Sequence, residues 1–202
     1  MRRQLLPAFA MVVVMTVLTG LVYTFAFTGF AQVVAPDTAN GSRVQVDGKD
    51  VGSEYIGQAW VDKKGAPLTQ YFQSRPSAAI NTTDNGYDPT LSLGSNWGPA
   101  NPDLLKAVSE RVEAYRELNG LDESATIPVD AVTASASGLD PDISIANARL
   151  QAPRIADERG LSLPRVNQLI DEHTDDRTFG ILGEKRVNVL KLNLALDRAA
   201  PQ

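Results

Sequence analysis

The sequence predicts an α+β protein, with one N-terminal transmembrane helix followed by a single extracytoplasmic domain of short strands and amphipathic helices. Three observations predict it. The run Ala8–Phe30 is apolar, and no charged residue falls between Arg3 and Asp37. Short β-branched runs flank Asp47-Gly48, a turn pair typical of hairpins. Beyond residue 100 the apolar residues recur at helical spacing between capping residues.

A bilayer core needs roughly 20 mostly apolar residues in a helix. Ala8–Phe30 supplies them, and its eleven Leu, Val and Phe residues favour insertion by about 5 kcal/mol before Thr and Gly are counted. Arg2 and Arg3 precede the run, so the positive-inside tendency puts residues 1–7 in the cytoplasm and the bulk of the chain outside. The alternative is a cleaved signal peptide, whose apolar core is usually about 7–15 residues and ends at a small-x-small site. The run here is longer, Gly29-Phe30-Ala31 matches such a site only partly, and no Cys follows to carry a lipid. The expected organisation is therefore a cytoplasmic end (1–7), a spanning helix (8–30), a small polar tether (31–42) and a folded extracytoplasmic domain (43–202).

Composition narrows the function classes. With Arg2 and Arg3 inside, 17 basic residues face 24 acidic ones, a net charge of −7 for the outer part. That excess disfavours nucleic acid, which needs a basic face. The absence of Cys excludes disulfides, iron–sulfur clusters and thiolate metal sites.

Within the anchor, Thr16, Gly20, Thr24 and Thr28 recur every fourth residue, near one side of a helix. Small and hydroxyl residues let a second helix approach closely in lipid, although Thr and Gly are also simply common in spanning helices. Outside the membrane, Arg43–Val51 reads as a hairpin and Ile56–Val61 as a further strand. Thr69–Pro102 is a long polar loop expected to be pinned by Tyr71, Phe72, Tyr87 and Trp97. Asn101 caps a helix from Pro102 to Leu118, with Leu104, Leu105, Val108, Val112 and Tyr115 inward and Arg111 among the residues facing water. Ile127–Val132 reads as a strand leading into the small-residue run Thr133–Pro141, where a backbone can approach something closely. Ser144 caps a helix to about Gln151, Pro153 is expected to break or kink it, and a short second helix ends at Gly160. Ser162 caps another helix with Pro164 in its first turn. Residues 187–196 fit period 2 and period 3.6 almost equally, with Leu and Ala content tipping towards helix.

Chemistry by this chain alone finds little support. A hydrolase would need Ser135 or Ser137 as nucleophile and His173, the single His, as base. No G-x-S-x-G elbow or S-x-x-K pair accompanies those serines. The acidic run Asp171–Asp176 lacks the spacing of a zinc pair or a calcium loop, and no P-loop is present. The expectation is no catalytic residue and no metal ligand.

Six phrases then carry a resemblance: Tyr71–Ala78 (YFQSRPSA), Gly94–Pro102 (GSNWGPANP), Val129–Ser144 (VDAVTASASGLDPDIS), Gln151–Ala156 (QAPRIA), His173–Gly183 (HTDDRTFGILG) and Arg186–Asp197 (RVNVLKLNLALD). Together they resemble the C subunit of the bacterial Kdp potassium-transporting P-type ATPase, over essentially the whole chain. Two positions depart from that family's pattern: Ala136 stands where Gly is usual, and Asp142 where His is common, so no base or ligand role carries over to Asp142. The resemblance implies an accessory, non-catalytic subunit of a high-affinity potassium uptake complex. The implied partners are a channel-like potassium-translocating subunit, a P-type catalytic subunit, a small single-helix subunit and membrane lipid. It implies that the complex uses ATP, Mg and K, none of which is assigned to this chain. It also implies assembly or stabilisation of the complex and a catalytic-chaperone effect raising the ATPase subunit's affinity for ATP. The topology read from Arg2-Arg3 opposes direct ATP contact, since it places the domain away from cytoplasmic nucleotide. Candidate subunit contacts are Ser95, Asn96, Gly98 and Asn101 in one loop and Ser137, Gly138, Leu139 and Asp140 in another, which could equally be turns required by the fold. A stand-alone anchored binding domain and a tethered serine hydrolase are the alternatives.

Overall fold

A computed structural model describes residues 2–80 and 87–199. It divides into two compact units, residues 1–51 and 52–202.

The first unit is dominated by one long apolar helix, Arg3–Val34, long and apolar enough to cross a membrane, with none of it buried within the protein. At ~1.5 Å per residue it is about 48 Å long, against a hydrocarbon thickness of ~30 Å, so both ends reach the headgroup zones or the helix tilts. It comprises α1 (Arg2–Thr16), a π-helical stretch (Val17–Tyr23) and α2 (Thr24–Val34). The helix thus runs into the expected tether, and one further turn, α3 (Pro36–Ala39), follows. The hairpin of β1 (Arg43–Val46) and β2 (Lys49–Ser53) forms as expected around Asp47 (φ 51°) and Gly48 (φ 75°). Both turn residues adopt the positive φ that a type I′ turn requires.

In the second unit, α4 (Pro102–Asn119) opens with the Asn101 side chain accepting from Asp103 N–H and closes on Gly120 in the left-handed region. Its inward stripe differs from expectation at both margins. Leu105 is 61% exposed, whereas Arg111 lies half-buried and donates to the Val132 carbonyl at 3.2 Å. Tyr115, with Val108 and Val112, packs on Ala131, Val132, Ile127 and Leu150.

The expected strand at Ile127–Val132 is instead α5 (Val129–Val132), one turn entered from Pro128 and closed by Thr133 N–H and hydroxyl, both donating to the Val129 carbonyl. The expected strand at Ile56–Val61 is also absent; Val61 makes only an isolated bridge to Pro67. Both segments are too short for propensity to outweigh local partners.

A small antiparallel sheet has the order β3 (Asp142–Ile143), β5 (Arg186–Asn188), β4 (Thr174–Asp175). On it pack α6 (Ile145–Arg159), α7 (Leu163–Glu172) and α8 (Val189–Ala199) around Phe72, Ile143, Ile155, Val166, Ile170, Leu192 and Leu196. Helix α6 is continuous through Pro153, contrary to the expected division at that residue. Pro153 and Arg149 both lie on the solvent side, so water can serve the carbonyl that the proline leaves unpaired. The opposite face, Ala148, Ala152, Ile155 and Ala156, is buried and holds the helix together.

The ambiguous segment 187–196 is both things in succession. It stays extended through Asn188, whose side-chain oxygen then accepts from Lys191 N–H at 3.1 Å and starts α8.

Candidate functional site

The two loops singled out as contact candidates lie side by side. Ser92 donates to the Ser137 carbonyl at 3.0 Å, and a Cβ on Gly94 would sit 2.8 Å from the Ala136 carbonyl oxygen. Gly138, buried at φ 70°, is enclosed by its own chain: a Cβ there would meet Leu93 O at 2.5 Å and Ala79 Cβ at 2.8 Å. The Ser77 hydroxyl donates to the Gly138 carbonyl at 2.6 Å, and Gly57 N–H to the Leu139 carbonyl at 2.9 Å. The small residues of 133–141 therefore do bring backbones close together, and the partners are other loops of this domain. Gly138→Ala is expected to destabilise the domain by about 2 kcal/mol through both the clash and the positive φ, measured as a shift in denaturant midpoint.

Asp140 is fixed by Arg75, whose guanidinium reaches its carboxylate at 2.8 Å, while the other carboxylate oxygen accepts from Asp142 N–H at 3.1 Å. Asp142 pairs with Arg186 at 2.9 Å. Burial nonetheless raises the Asp142 carboxyl above its ordinary range, with Arg186 opposing and Asp140 and Asp175 adding to the rise. Ser137, Ala136, Asn96 and Gly98 remain exposed, as does the Trp97 ring at 39%. Trp97 is thus not a pin for the long loop, unlike Phe72, which is fully buried. Gly98 and Asn101 share a turn, with Asn101 N–H donating to the Gly98 carbonyl at 3.0 Å. Residues 81–86 of the expected loop lie outside the described residues.

Beside Phe72, the start of the loop is held by a web of buried polar side chains that sequence reasoning passed over. Asn193 accepts from Phe72 N–H at 2.9 Å and donates back to the Phe72 carbonyl at 3.0 Å. Gln151 does the same for Gln73, at 2.7 and 3.1 Å. Arg154 donates to the carbonyls of Thr69 and Tyr71, to Asn119 Oδ1 and to Gln151 Oε1. Asn147 joins Gln151 to Tyr115 and to Asp130, and Asp130 also receives Ser144 N–H and hydroxyl at the start of α6. Around the rim, Tyr87 hydroxyl donates to the Arg75 carbonyl, and the Tyr71 ring lies under the Arg159 guanidinium at 4.5 Å. The available signal was a polar residue inside an apolar run, as in Leu192-Asn193-Leu194, which forecasts a buried side chain with a dedicated partner.

The Ser–His arrangement is not assembled. His173 Nδ1 bonds the Leu169 carbonyl at 2.9 Å within its own helix end, and Ser135 N–H donates to the Pro76 carbonyl. Among the described residues no hydrogen bond joins His173 to Ser135 or Ser137. In the acidic run, Asp171 pairs with Arg149 at 3.0 Å and Asp176 with Lys185 at 2.7 Å. Among the described residues no group of three His, Cys, Asp or Glu could hold a metal ion.

In the long helix, the π-helical stretch takes in Gly20 and is flanked by Thr16 and Thr24. The Thr24 hydroxyl is engaged with the Thr19 carbonyl at 3.2 Å, and nothing lies within 4 Å of where a Gly20 Cβ would be.

One helix long and apolar enough to cross a membrane, among the described residues, followed in sequence by a small α+β domain with a polar-pinned loop, is the architecture of a membrane-associated protein. The family model for the c chain of the K+-transporting ATPase (KdpC) matches residues 5–198, and the chain belongs to that family. It is 54% identical to the potassium-transporting ATPase KdpC subunit of Mycobacterium tuberculosis over 98% of this chain and 100% of the relative. The proteins of the same name from Geobacter metallireducens and Methylococcus capsulatus are each 50% identical to it. They cover 96% and 95% of this chain and 97% and 95% of their own lengths. The chain is accordingly a subunit of a membrane-associated potassium-transporting ATPase.

Proposed function

We propose that this chain is a non-catalytic accessory subunit that assembles or stabilises a potassium uptake complex, joining a channel-like translocating subunit to a P-type catalytic subunit. The observation that carries the reading is the family match over residues 5–198, which takes in the anchor and the whole domain. The arrangement of His173, Ser135 and Ser137 supports a role without hydrolysis of its own. ATP, Mg and K belong to the complex, and none is assigned to this chain. The surface formed by Ser95, Asn96, Gly98 and Asn101 with Ser137, Gly138, Leu139 and Asp140 contacts a neighbouring subunit through its exposed members. The anchor packs on a partner's helices around Gly20, where no side chain stands in the way. A small single-helix subunit and lipid complete its surroundings.

The chain sits in the inner membrane with its N-terminus in the cytoplasm, an orientation supported by Arg2-Arg3, and the acidic domain lies outside. In that orientation any rise in the catalytic subunit's affinity for ATP passes through the spanning helix and the other subunits, as a coupling between packed elements. Protease accessibility tests this directly. Protease added to right-side-out vesicles should remove most of the chain and leave a fragment close to the size of the anchor. Digestion of the domain only in inverted vesicles would overturn the orientation.

A further inference from the structure

Beyond the paired residues of β4 and β5 the chain continues as an arm that closes at a second turn, where Thr178 and Leu182 bridge. Thr178 N–H donates to the Leu182 carbonyl at 2.9 Å and Leu182 N–H to the Thr178 carbonyl at 3.0 Å, so the tip is a defined structure. It carries three apolar side chains into solvent: Phe179 is 88% exposed, Ile181 77% and Leu182 57%.

The turn is built at a cost. Phe179 and Gly180 have φ of 55° and 77°, the paired positive values for which Asn-Gly or Asp-Gly is the ordinary choice. A bulky residue at positive φ is strained, and at 88% exposure no internal packing offsets it. An Asn would close the same turn without strain. The Phe ring is therefore not explained by the fold.

The charges beside the tip decide what it fits. Arg177 pairs with Glu184 at 2.5 Å, Lys185 with Asp176 at 2.7 Å and Arg186 with Asp142 at 2.9 Å. The arm thus presents an apolar tip on a neutral stem. Residues 52–202 hold 15 basic and 21 acidic residues, a net charge of −6, which repels an anionic lipid surface, and among the described residues each of the stem cations Arg177, Lys185 and Arg186 is already paired. Resting on the subunit role given above, we infer that the Thr178–Leu182 tip docks into an uncharged apolar cleft of another subunit of the same ATPase, with the Phe179 ring as anchor. A rigid turn loses little freedom on docking, and a buried aromatic ring is the usual centre of such a contact.

The test places a photo-crosslinking phenylalanine analogue at 179 in the full-length tagged chain, coexpressed with the other subunits. A covalent adduct with one of those subunits is expected. Adducts with lipid only, with a second copy of this chain, or with nothing, while the tagged wild-type chain still retains the other subunits, would overturn the docking inference alone. Loss of the subunits from the wild-type chain would overturn the subunit reading as well. Phe179→Asn separates docking from folding: its unfolding midpoint should equal or exceed the wild type, and retention of the other subunits should fall at least tenfold. Undiminished retention by that variant would refute the assignment.

Discussion

Arg154→Met is expected to lower the unfolding free energy by about 4 kcal/mol, the largest effect of any single substitution considered. Arg154 is 9% exposed in α6, and its guanidinium donates to two backbone carbonyls of the long loop and to two amide side chains. Burial lowers its pKa to about 10, so it remains charged at neutral pH. A hydrogen bond from a charged donor contributes roughly 1.5–3 kcal/mol net, and orphaned buried acceptors cost about 1–3 kcal/mol each. These contributions overlap, because all four acceptors surround one group. Met keeps most of the stem's packing, which isolates the loss of the guanidinium. Arg154→Lys should recover little, since a single ammonium cannot reproduce the planar fork. Denaturant titration of the detergent-solubilised chain, followed by the fluorescence of Trp60 and Trp97 in the domain, checks both. A loss under about 1 kcal/mol for the Met variant would mean that the loop is held by its aromatic residues instead.

The second expectation is Asn193→Leu, at about 3 kcal/mol. Asn193 is fully buried and satisfies both the N–H and the carbonyl of Phe72. Leu has the same branched outline and suits the surrounding apolar residues, so a hydrophobic ledger alone would forecast a gain, although its bulkier methyls add some overpacking. Two backbone groups left unpaired in the core reverse that sign. The same titration decides it: an unchanged or higher midpoint would contradict the assignment of Asn193 as the pin for Phe72. Because Asn193 and Arg154 bind neighbouring parts of one loop, the double variant should lose less than the two single losses added together.

These two residues also mark the boundary of what the sequence makes legible. Elements with their own local chemistry are readable: Asn101 and Gly120 bracket α4, Ser144 and Ser162 cap α6 and α7, and Asp47-Gly48 turns the first hairpin. The apolar helix is readable from composition alone. Short elements are not. Val129–Val132 is helical because a single turn from Pro128 lets Asp130 reach Ser144 and Asn147, contacts 14 and 17 residues away. Residues 186–199 change from strand to helix at Asn188, a cap visible only once Asp142–Ile143 and Thr174–Asp175 are known to flank the strand. In the candidate contact loops, the glycines and serines signal close approach correctly but cannot say to what. Gly138 meets Leu93 and Ala79 of its own domain. The apolar tip carries no such local signal: Phe179 lies at positive φ and is exposed, although its type favours neither.

The proposed subunit role requires that this chain work only as part of a larger transporter. Gentle detergent extraction of membranes with a tag on this chain, followed by assay of potassium-stimulated ATP hydrolysis in the eluate, tests it most directly. The expected result is retention of a channel-like protein and an ATPase, with hydrolysis that rises on adding potassium and disappears from membranes lacking this chain. Recovery of the chain alone, with full potassium-stimulated hydrolysis left in the unbound fraction, would contradict it.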